Sequence, residues 1–256
     1  PKAADKAARG LKRDFGEIEN LQVSRKGPAD FVSAADLKAE KVLKGELQKA
    51  RPGYGFLMEE SEEVPESDGS GRRWIVDPLD GTSNFLHGLP HFAISIALEE
   101  RGEIIAGLVY DPIKEDLFHA EKGQGAFLND RRIRVSARNR MTECLIATGA
   151  PFAGRGDRPQ FLGEIDAVMA NTAGIRRWGA AALDLAYVAA GRFDGFWERG
   201  LSPWDYAAGL ILVREAGGYV SEMNGKTLTM GSPSILASNN AIHSDLMKLL
   251  RKPLSN

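Results

Sequence analysis

Apolar positions along the chain recur at helical spacing in two places near its start. Over residues 39–50 they return every three or four positions until Pro52 and Gly53 follow, and this spacing predicts a helix. Ser33, with Asp36 three positions later, is typical of the start of such a helix. Residues 1–15 have the same spacing, so we expect an amphipathic helix there as well.

Strand-like patterns dominate the next part of the chain. Residues 55–58 form a short apolar run, and residues 74–76 are typical of a short buried strand. From His91 to about Arg134, apolar runs are separated by turns that contain Gly, Asp or Pro. This pattern predicts an antiparallel meander.

The second half of the chain alternates strands with helices, which is typical of α/β architecture. The predicted strands lie at residues 145–148, near 175, at 195–198, and near 219 and 235. The predicted helices lie at residues 160–170, 180–190 and 203–216, and from 241 onward. Because the pattern changes around residues 135–150, we expect two halves, 1–140 and 141–256, which can also be treated as a single domain.

Composition and charge argue against several classes of protein. The 256 residues are 43% hydrophobic and 27% charged, as in an ordinary globular protein. A net charge of −2 gives no overall field for nucleic acid or an anionic membrane, so neither partner is expected. Cys144, the one cysteine, can form no internal disulfide, which fits a reducing cytoplasm. The sequence contains no run of about 18 apolar residues, so no membrane span is predicted.

The strongest chemical signal comes directly after a buried strand. Asp77 and Asp80 lie three positions apart with Pro78 between them, and Gly81 follows. Such a turn can direct both carboxylates and the Leu79 carbonyl at one point. Oxygen ligands of this kind suit Mg²⁺, and the helix start expected after Gly81 suits a phosphate.

Each acidic position also has an ordinary explanation. Asp, Pro and Gly are the commonest turn residues, and Asp111-Pro112 is a similar pair in a predicted hairpin to which we assign no function. Glu59 and Glu60 could form a solvated face, and Asp205, in the first turn of a helix, could simply complement the helix dipole. Taken singly, these positions leave the chemistry open.

Taken together, the acidic segments resemble the inositol monophosphatase family, in order and in sequence, across nearly the whole chain. The segments that carry the resemblance are 26–36, 56–61, 76–82, 177–184, 203–209 and 215–218. The resemblance implies a fold of mixed α+β and α/β class, a layered αβαβα sandwich like that of fructose-1,6-bisphosphatase, with the active site between the two halves. It also implies a homodimer.

The resemblance further implies the composition of the site. Two to three Mg²⁺ ions would be held by Glu59, Asp77, the Leu79 carbonyl, Asp80 and Asp205. Thr82, oriented by Asp36, would position the attacking water, and Glu59 would assist catalysis. The substrate would contact Asp80, Gly81, Thr82, Gly179, Ala180, Ala181, Glu198 and Asp205. For Asp36, a helix-start role together with Ser33 remains an alternative.

Two positions depart from the family pattern, since Ser33 stands where Thr is common and Ala180 where Ser or Thr is common. Neither change removes a metal ligand. Arg199, beside Glu198, puts a cation next to the expected polyol pocket, which could favour a substrate with a second negative charge.

The activity that the resemblance implies is hydrolysis of a phosphate monoester, first of all myo-inositol monophosphate, by a metal-activated water, with inhibition by Li⁺. Alternatives in the same class are phosphatases that act on fructose 1,6-bisphosphate, 3′-phosphoadenosine nucleotides or histidinol phosphate. A regulatory protein that binds the transcription machinery is an alternative of another class. Four carboxylates that repel one another without a metal argue against a pure binding protein.

Overall fold

The structure is a computed structural model that describes residues 1–17, 23–27, 30–152 and 156–251, with the backbone alone described for 23–27 and 30–33. Residues 28–29 of the motif segment 26–36 lie outside the described residues. The side chain of Ser33 does too, so its part in the helix start stays a prediction.

Helices and strands alternate along the chain much as the sequence predicts. The helices are α1 (Lys2–Phe15), α2 (Ala34–Ala50), α3 (Thr82–Leu86), α4 (Arg158–Met169), α5 (Ala181–Ala189), α6 (Pro203–Glu215) and α7 (His243–Leu250). The strands of the first part are β1 (Val23–Gly27), β2 (Asp30–Ser33), β3 (Gly55–Met58), β4 (Arg72–Asp80), β5 (Ala93–Glu100), β6 (Glu103–Asp111), β7 (Asp116–Glu121), β8 (Gly125–Leu128) and β9 (Arg131–Ile133). The later strands are β10 (Leu145–Thr148), β11 (Gly174–Arg176), β12 (Gly195–Arg199), β13 (Tyr219–Ser221) and β14 (Ser234–Ser238).

Local sequence explains where the helices near the site begin. α2 starts directly after Ser33 and ends before Pro52, as predicted. α6 starts with Pro203 in its first turn, where the missing N–H of proline costs nothing, and Asp205 accepts a hydrogen bond from the Ser202 N–H at 2.7 Å. In the ranges that the structure describes, no helix combines the length and the apolar character needed to cross a membrane.

Two large sheets carry the architecture. The first has seven strands in the order β3-β4-β5-β6-β7-β8-β9, in which β3 and β4 are parallel and the other neighbours are antiparallel. This sheet confirms the predicted meander. The second has five strands in the order β11-β10-β12-β14-β13, with β10 parallel to both β11 and β12 and the other pairs antiparallel.

The elements stack in five layers. α1 and α2 pack together on the outer side of the seven-stranded sheet, α5 and α6 lie between the two sheets, and α4 and α7 pack beside the five-stranded sheet. The largest apolar core surrounds the central helix pair, with Leu183 of α5, Leu212 of α6 and Ile235 of β14 all buried. The predicted layered αβαβα sandwich is therefore confirmed.

The segment from Asp77 to Asp80 differs from the predicted turn, because it belongs to β4, which is longer than the predicted strand at 74–76. Asp77 lies opposite Ser95 of β5 and Asp80 opposite Ala93, so three steps along β4 match two along β5. One extra residue on one strand is a β-bulge. Pro78 lies inside it, where a residue without an N–H is tolerated within a sheet.

Candidate active site

The bulge in β4 brings two carboxylates to one side of the strand. In a regular strand, residues three positions apart point to opposite faces, and one inserted residue restores a common face. Asp77 and Asp80 are 2% and 7% exposed. Asp77 Oδ1 accepts the Leu79 N–H at 2.9 Å, and Asp80 Oδ2 accepts the Ala182 N–H at 2.8 Å.

Asp111 shows what an Asp-Pro pair looks like when it only shapes a turn. Its buried carboxylate accepts the N–H groups of Ile113 and Lys114, each at 3.0 Å, and pairs with the Lys114 ammonium. The surroundings of Asp77 are different, because it lies among other carboxylates.

Glu59 lies next to Asp77 because β3 pairs with β4. β3 and β4 run parallel with Met58 opposite Val76, so the next residues on the two strands, Glu59 and Asp77, lie side by side. The Glu59 N–H donates to the Val76 carbonyl at 3.3 Å, which holds the end of β3 against β4. The acidic stretch after β3 is therefore more than a solvated face at Glu59.

Thr82 and Asp36 meet across the fold, as predicted. Thr82 Oγ1 lies 3.0 Å from Asp36 Oδ1 and 3.0 Å from the Leu79 carbonyl oxygen. Asp36 is fully buried in the first turn of α2. The contact exists in the structure, and its part in catalysis stays a prediction.

The acidic side chains influence one another. Burial raises the pKa of Asp77 well above its usual range, and the negative charges of Glu59 and Asp80 add to the effect. Burial also raises the pKa of Asp80, and the charge of Asp205 is the next cause. The pKa of Asp205 rises to about 7, because burial outweighs the stabilising bond from the Ser202 N–H.

The donor chemistry of this cluster fits a hard divalent cation. All the predicted ligands are oxygen atoms, and a cation among them would offset the repulsion that raises their pKa values. In the described parts of the chain, however, no three His, Cys, Asp or Glu side chains are grouped closely enough to hold a metal ion as they stand. Asp77, Asp80 and Asp205 each use one oxygen to accept a backbone N–H, and each carboxylate has a second oxygen that could bind a cation.

The glycine-rich segment before α5 packs directly against the bulge. Gly81 has a φ of +90°, and a β-carbon there would lie 3.2 Å from Ala180 Cβ and 3.3 Å from the Gly179 carbonyl oxygen. The structure thus brings together Gly81, Gly179 and Ala180, and the N–H of Ala182, next to Ala181, reaches Asp80.

Asn84 is a site residue that sequence reasoning gave no role. Its Nδ2 atom donates to the carbonyls of His91 and Trp178, both at 2.8 Å, so it joins α3 to the glycine segment. It lies two positions beyond the motif segment 76–82; His91 is seven positions away in sequence, and Trp178 is 94 positions away. Only the fold reveals the bond.

A cavity of about 720 Å³ opens beside the cluster. Glu59, Glu198 and Asp205 are the predicted site residues that line it. Burial raises the pKa of Glu198 to about 8, and the charge of Asp205 adds to this, while Arg177 acts in the opposite direction. The apolar part of the lining includes Pro151, Phe152, Phe161, Leu201 and Trp204.

Arg199 does not provide the spare cation that the sequence suggested. Its guanidinium bonds to Glu164 of α4 through Nε at 2.9 Å and through Nη2 at 2.7 Å. Glu164 also accepts the Trp197 Nε1–H at 3.1 Å. Because Glu164 balances the charge of Arg199, the basis for expecting a second negative charge on the substrate is lost.

Asp184 is a second residue that sequence reasoning missed. It is 1% exposed in the first turn of α5, and its Oδ1 atom has no hydrogen-bond partner. Burial raises the pKa of Asp184 well above its usual range, and the charges of Glu198 and Asp80 raise it further, against the effect of Arg177. It lies in the motif segment 177–184, which gave no sign of its burial.

Comparison with known proteins agrees with this geometry. The family model described as "Inositol monophosphatase family" matches residues 2–255. An inositol-1-monophosphatase of Mesorhizobium japonicum is 58% identical over 253 residues, which cover 99% of this chain and 95% of that protein. The Nus factor SuhB of Pseudomonas aeruginosa is 41% identical over 256 residues, which cover 99% and 94%.

A solved structure shows the same fold. The extragenic suppressor protein SuhB from Bartonella henselae superposes with a TM-score of 0.95 at 58% identity, over 98% of this chain and 96% of that chain. The family match over almost the full length and the shared fold confirm the resemblance inferred from the acidic segments. This chain belongs to the inositol monophosphatase family, a family of phosphoric monoester hydrolases.

Proposed function

We propose that this protein hydrolyses the phosphate monoester of a small polyol, myo-inositol monophosphate first of all, with Mg²⁺ as its cofactor. The observation that carries the proposal is the set of mutually interacting carboxylates at the ends of β3 and β4 and at the start of α6, beside a cavity that Glu198 also lines. A site of this kind suits a cation and an anionic substrate together.

The metal is the first element of the proposal. The family is generally metal-dependent. In this chain the residues that would hold two to three Mg²⁺ ions are Glu59, Asp77, Leu79 through its carbonyl, Asp80 and Asp205. Bound Mg²⁺ would supply positive charge to the phosphate and the departing oxygen and would lower the pKa of a coordinated water.

Thr82 and Asp36 would act on the attacking water. When Asp36 accepts the hydroxyl hydrogen of Thr82, the Thr82 oxygen keeps its lone pairs for a hydrogen bond from water. The water is then fixed in position, and its hydrogen points toward Thr82. Because Asp36 is fully buried and α2 holds its backbone, the orientation costs little entropy at the moment of reaction.

The remaining predicted contacts would hold the substrate. The first N–H groups of α3, next to Gly81 and Thr82, have no acceptor within the helix and suit phosphate oxygens. The small residues Gly179, Ala180 and Ala181 would let the ring approach the backbone. Glu198 would accept hydrogen bonds from ring hydroxyls.

A screen of phosphate release tests the proposal. The full chain is assayed with inositol 1-phosphate, fructose 1,6-bisphosphate, 3′-phosphoadenosine 5′-phosphate, histidinol phosphate and an aryl phosphate, each with Mg²⁺, with EDTA, and with Mg²⁺ plus LiCl. We expect the highest kcat/KM for inositol 1-phosphate, loss of activity in EDTA and inhibition by millimolar Li⁺. A higher kcat/KM for another compound would make that compound the proposed substrate in place of inositol 1-phosphate. Full activity in EDTA would refute the metal assignment.

A regulatory role is the second candidate, because the chain is 41% identical to a protein named as a Nus factor. It predicts that tagged protein retains components of the transcription machinery, and that the Asp80→Asn variant retains them as well. Co-purification from cells of both forms, with a tag-only control, decides this question separately from catalysis.

We also infer a homodimer from the resemblance to the family. Light scattering coupled to size-exclusion chromatography gives the mass in solution directly. A mass near 55.6 kDa, twice the 27.8 kDa of the chain, is the expected result, and a monomer over the whole accessible concentration range would contradict it.

A further inference from the structure

Gly149 lies directly beside Glu198 at the edge of the cavity. β10 and β12 run parallel with Thr148 opposite Trp197, so the residues that follow on each strand, Gly149 and Glu198, are neighbours. A β-carbon on Gly149 would lie 1.7 Å from Glu198 Oε1, 1.9 Å from Cδ and 2.2 Å from Oε2. The carboxylate therefore occupies the space that any side chain at position 149 would need.

The backbone at position 149 does not itself demand glycine. The φ of Gly149 is not positive, so an alanine could adopt the same backbone conformation without strain. The three atoms nearest to the added carbon all belong to the Glu198 carboxyl group. The steric demand at this position comes from Glu198.

β12 is anchored on either side of Glu198, so we expect a new side chain at position 149 to displace the Glu198 side chain. Thr148 Oγ1 donates to the Trp197 carbonyl at 2.8 Å, which ties the end of β10 to β12. On either side of Glu198, the side chains of Trp197 and Arg199 bond to Glu164 of α4. With its strand neighbours anchored, we expect Glu198 to yield by turning its carboxylate away.

We propose that Gly149 is a positioning residue for substrate selectivity: its missing side chain places the Glu198 carboxylate where the substrate alcohol binds. The inference rests on the proposed function, in which Glu198 accepts hydrogen bonds from the polyol. It adds to that function a residue that contacts no reacting atom and acts through Glu198.

The first test is Gly149→Ala in the full chain with Mg²⁺, assayed on inositol 1-phosphate and on an aryl phosphate. We expect KM for inositol 1-phosphate to rise about tenfold, the change that corresponds to about 1.4 kcal/mol, with kcat and the aryl activity within about twofold of wild type. Gly231→Ala is the matched control, because a β-carbon there meets no atom within 4 Å. Equal losses on both substrates would overturn the inference, and so would an unchanged KM.

A double-mutant cycle separates positioning from direct obstruction of the cavity. If Gly149 acts through Glu198, the Gly149→Ala change adds nothing in a Glu198→Ala background, where the carboxylate is gone. Additive losses would mean that the new methyl group blocks the substrate itself, and the inference would be wrong.

A crystal structure of Gly149→Ala tests the placement without any substrate. The expected result is a Glu198 carboxylate turned away from residue 149 on an unchanged β10 and β12. A carboxylate that stays while the strands move apart would overturn the inference. Failure of the wild type to release phosphate from inositol 1-phosphate would instead refute the proposed substrate and leave this structural test standing.

Discussion

The main-chain N–H of Ala182 donates to Asp80 Oδ2 at 2.8 Å, and this bond joins β4 to the start of α5 across 102 positions of sequence. Asp80 therefore has two separable properties. One of its oxygens accepts a structural hydrogen bond, and its negative charge adds to the acidic cluster. An asparagine at this position keeps an oxygen acceptor and loses the charge.

Asp80→Asn should lower phosphate release by about a hundredfold or more, a loss of at least ~2.7 kcal/mol of transition-state stabilisation, because a predicted metal ligand loses its charge. The free energy of unfolding, measured without metal, should not fall by more than about 1 kcal/mol, because the bond from Ala182 can persist and a buried charge is removed. Isothermal titration should show weaker Mg²⁺ binding. Near wild-type turnover at saturating Mg²⁺ would show that the ligand assignment is wrong.

Glu198→Gln should reduce kcat/KM for inositol 1-phosphate by an amount that corresponds to about 1.5–3 kcal/mol, the usual contribution of a hydrogen bond to a charged group. The alternative, a surface ion pair with Arg199, would be worth under about 1 kcal/mol and would not depend on the substrate. The structure already gives Arg199 another partner, Glu164. An aryl phosphate serves as the control substrate, and equal effects on both substrates would contradict the assignment.

Asp184→Asn should stabilise the metal-free protein at neutral and higher pH. Because the folded-state pKa of Asp184 is raised, its ionisation opposes folding above the ordinary carboxyl pKa, and this cost grows as pH rises toward the folded-state pKa. Asparagine cannot ionise, so the gain should reach about 1–2 kcal/mol near pH 8 and shrink toward pH 4. Urea unfolding in EDTA, repeated at about pH 8 and about pH 4, measures the gain and its decrease.

The matched control for this variant is Asp166→Asn on the exposed side of α4, which should change the free energy of unfolding by no more than about 0.5 kcal/mol. A destabilised Asp184→Asn protein would mean that the carboxylate is held by a favourable contact, and the interpretation of its burial would be wrong.

His243 should make the protein less stable in mild acid. Burial lowers its pKa to about 4, and its ring nitrogens lie 2.9 Å from Ser221 Oγ and 2.8 Å from Ser238 Oγ. The unfolded chain takes up a proton near pH 6.5 and the folded chain does not, so stability is full above that pH. It is lost as pH falls toward 4, by up to about 1.4 kcal/mol per unit.

Urea unfolding at about pH 5 and about pH 7.5 should therefore show a smaller difference for His243→Gln than for the wild type. His91, whose pKa burial also lowers to about 4, contributes in the same direction and remains in the variant. The exposed His87, changed to Gln, is the control and should leave the difference as it is. An undiminished difference in His243→Gln would exclude His243 as a source of acid sensitivity.

Much of the fold follows from short-range pattern. The capped start of α6 combines Ser202, Pro203 and Asp205, and the helix begins at Pro203 as predicted. The bulge in β4 could not be distinguished from a turn, because Asp-Pro-x-Asp-Gly suits both, and only the register against β5 separates them. The division into halves 1–140 and 141–256 stays a prediction.

The site is predictable where a motif carries it and obscure where a distant contact does. The spacing of Asp77 and Asp80 around Pro78 predicts that they act together. Asn84 and Gly149 matter because of partners that lie 94 and 49 positions away in sequence, respectively. Asp184 matters because it is buried. No local pattern distinguishes such a glycine from any other.

The predicted site residues come from two different sheets. Glu59 and Asp77 come from the parallel pair at the edge of the seven-stranded sheet, whereas Glu198 and Gly149 come from two neighbouring strands of the five-stranded sheet. Exchanges at positions 149 and 198 leave the strands that carry Glu59 and Asp77 untouched. Under the proposed function, lineages of this scaffold would therefore diversify in the alcohol they accept while they keep the same acidic cluster.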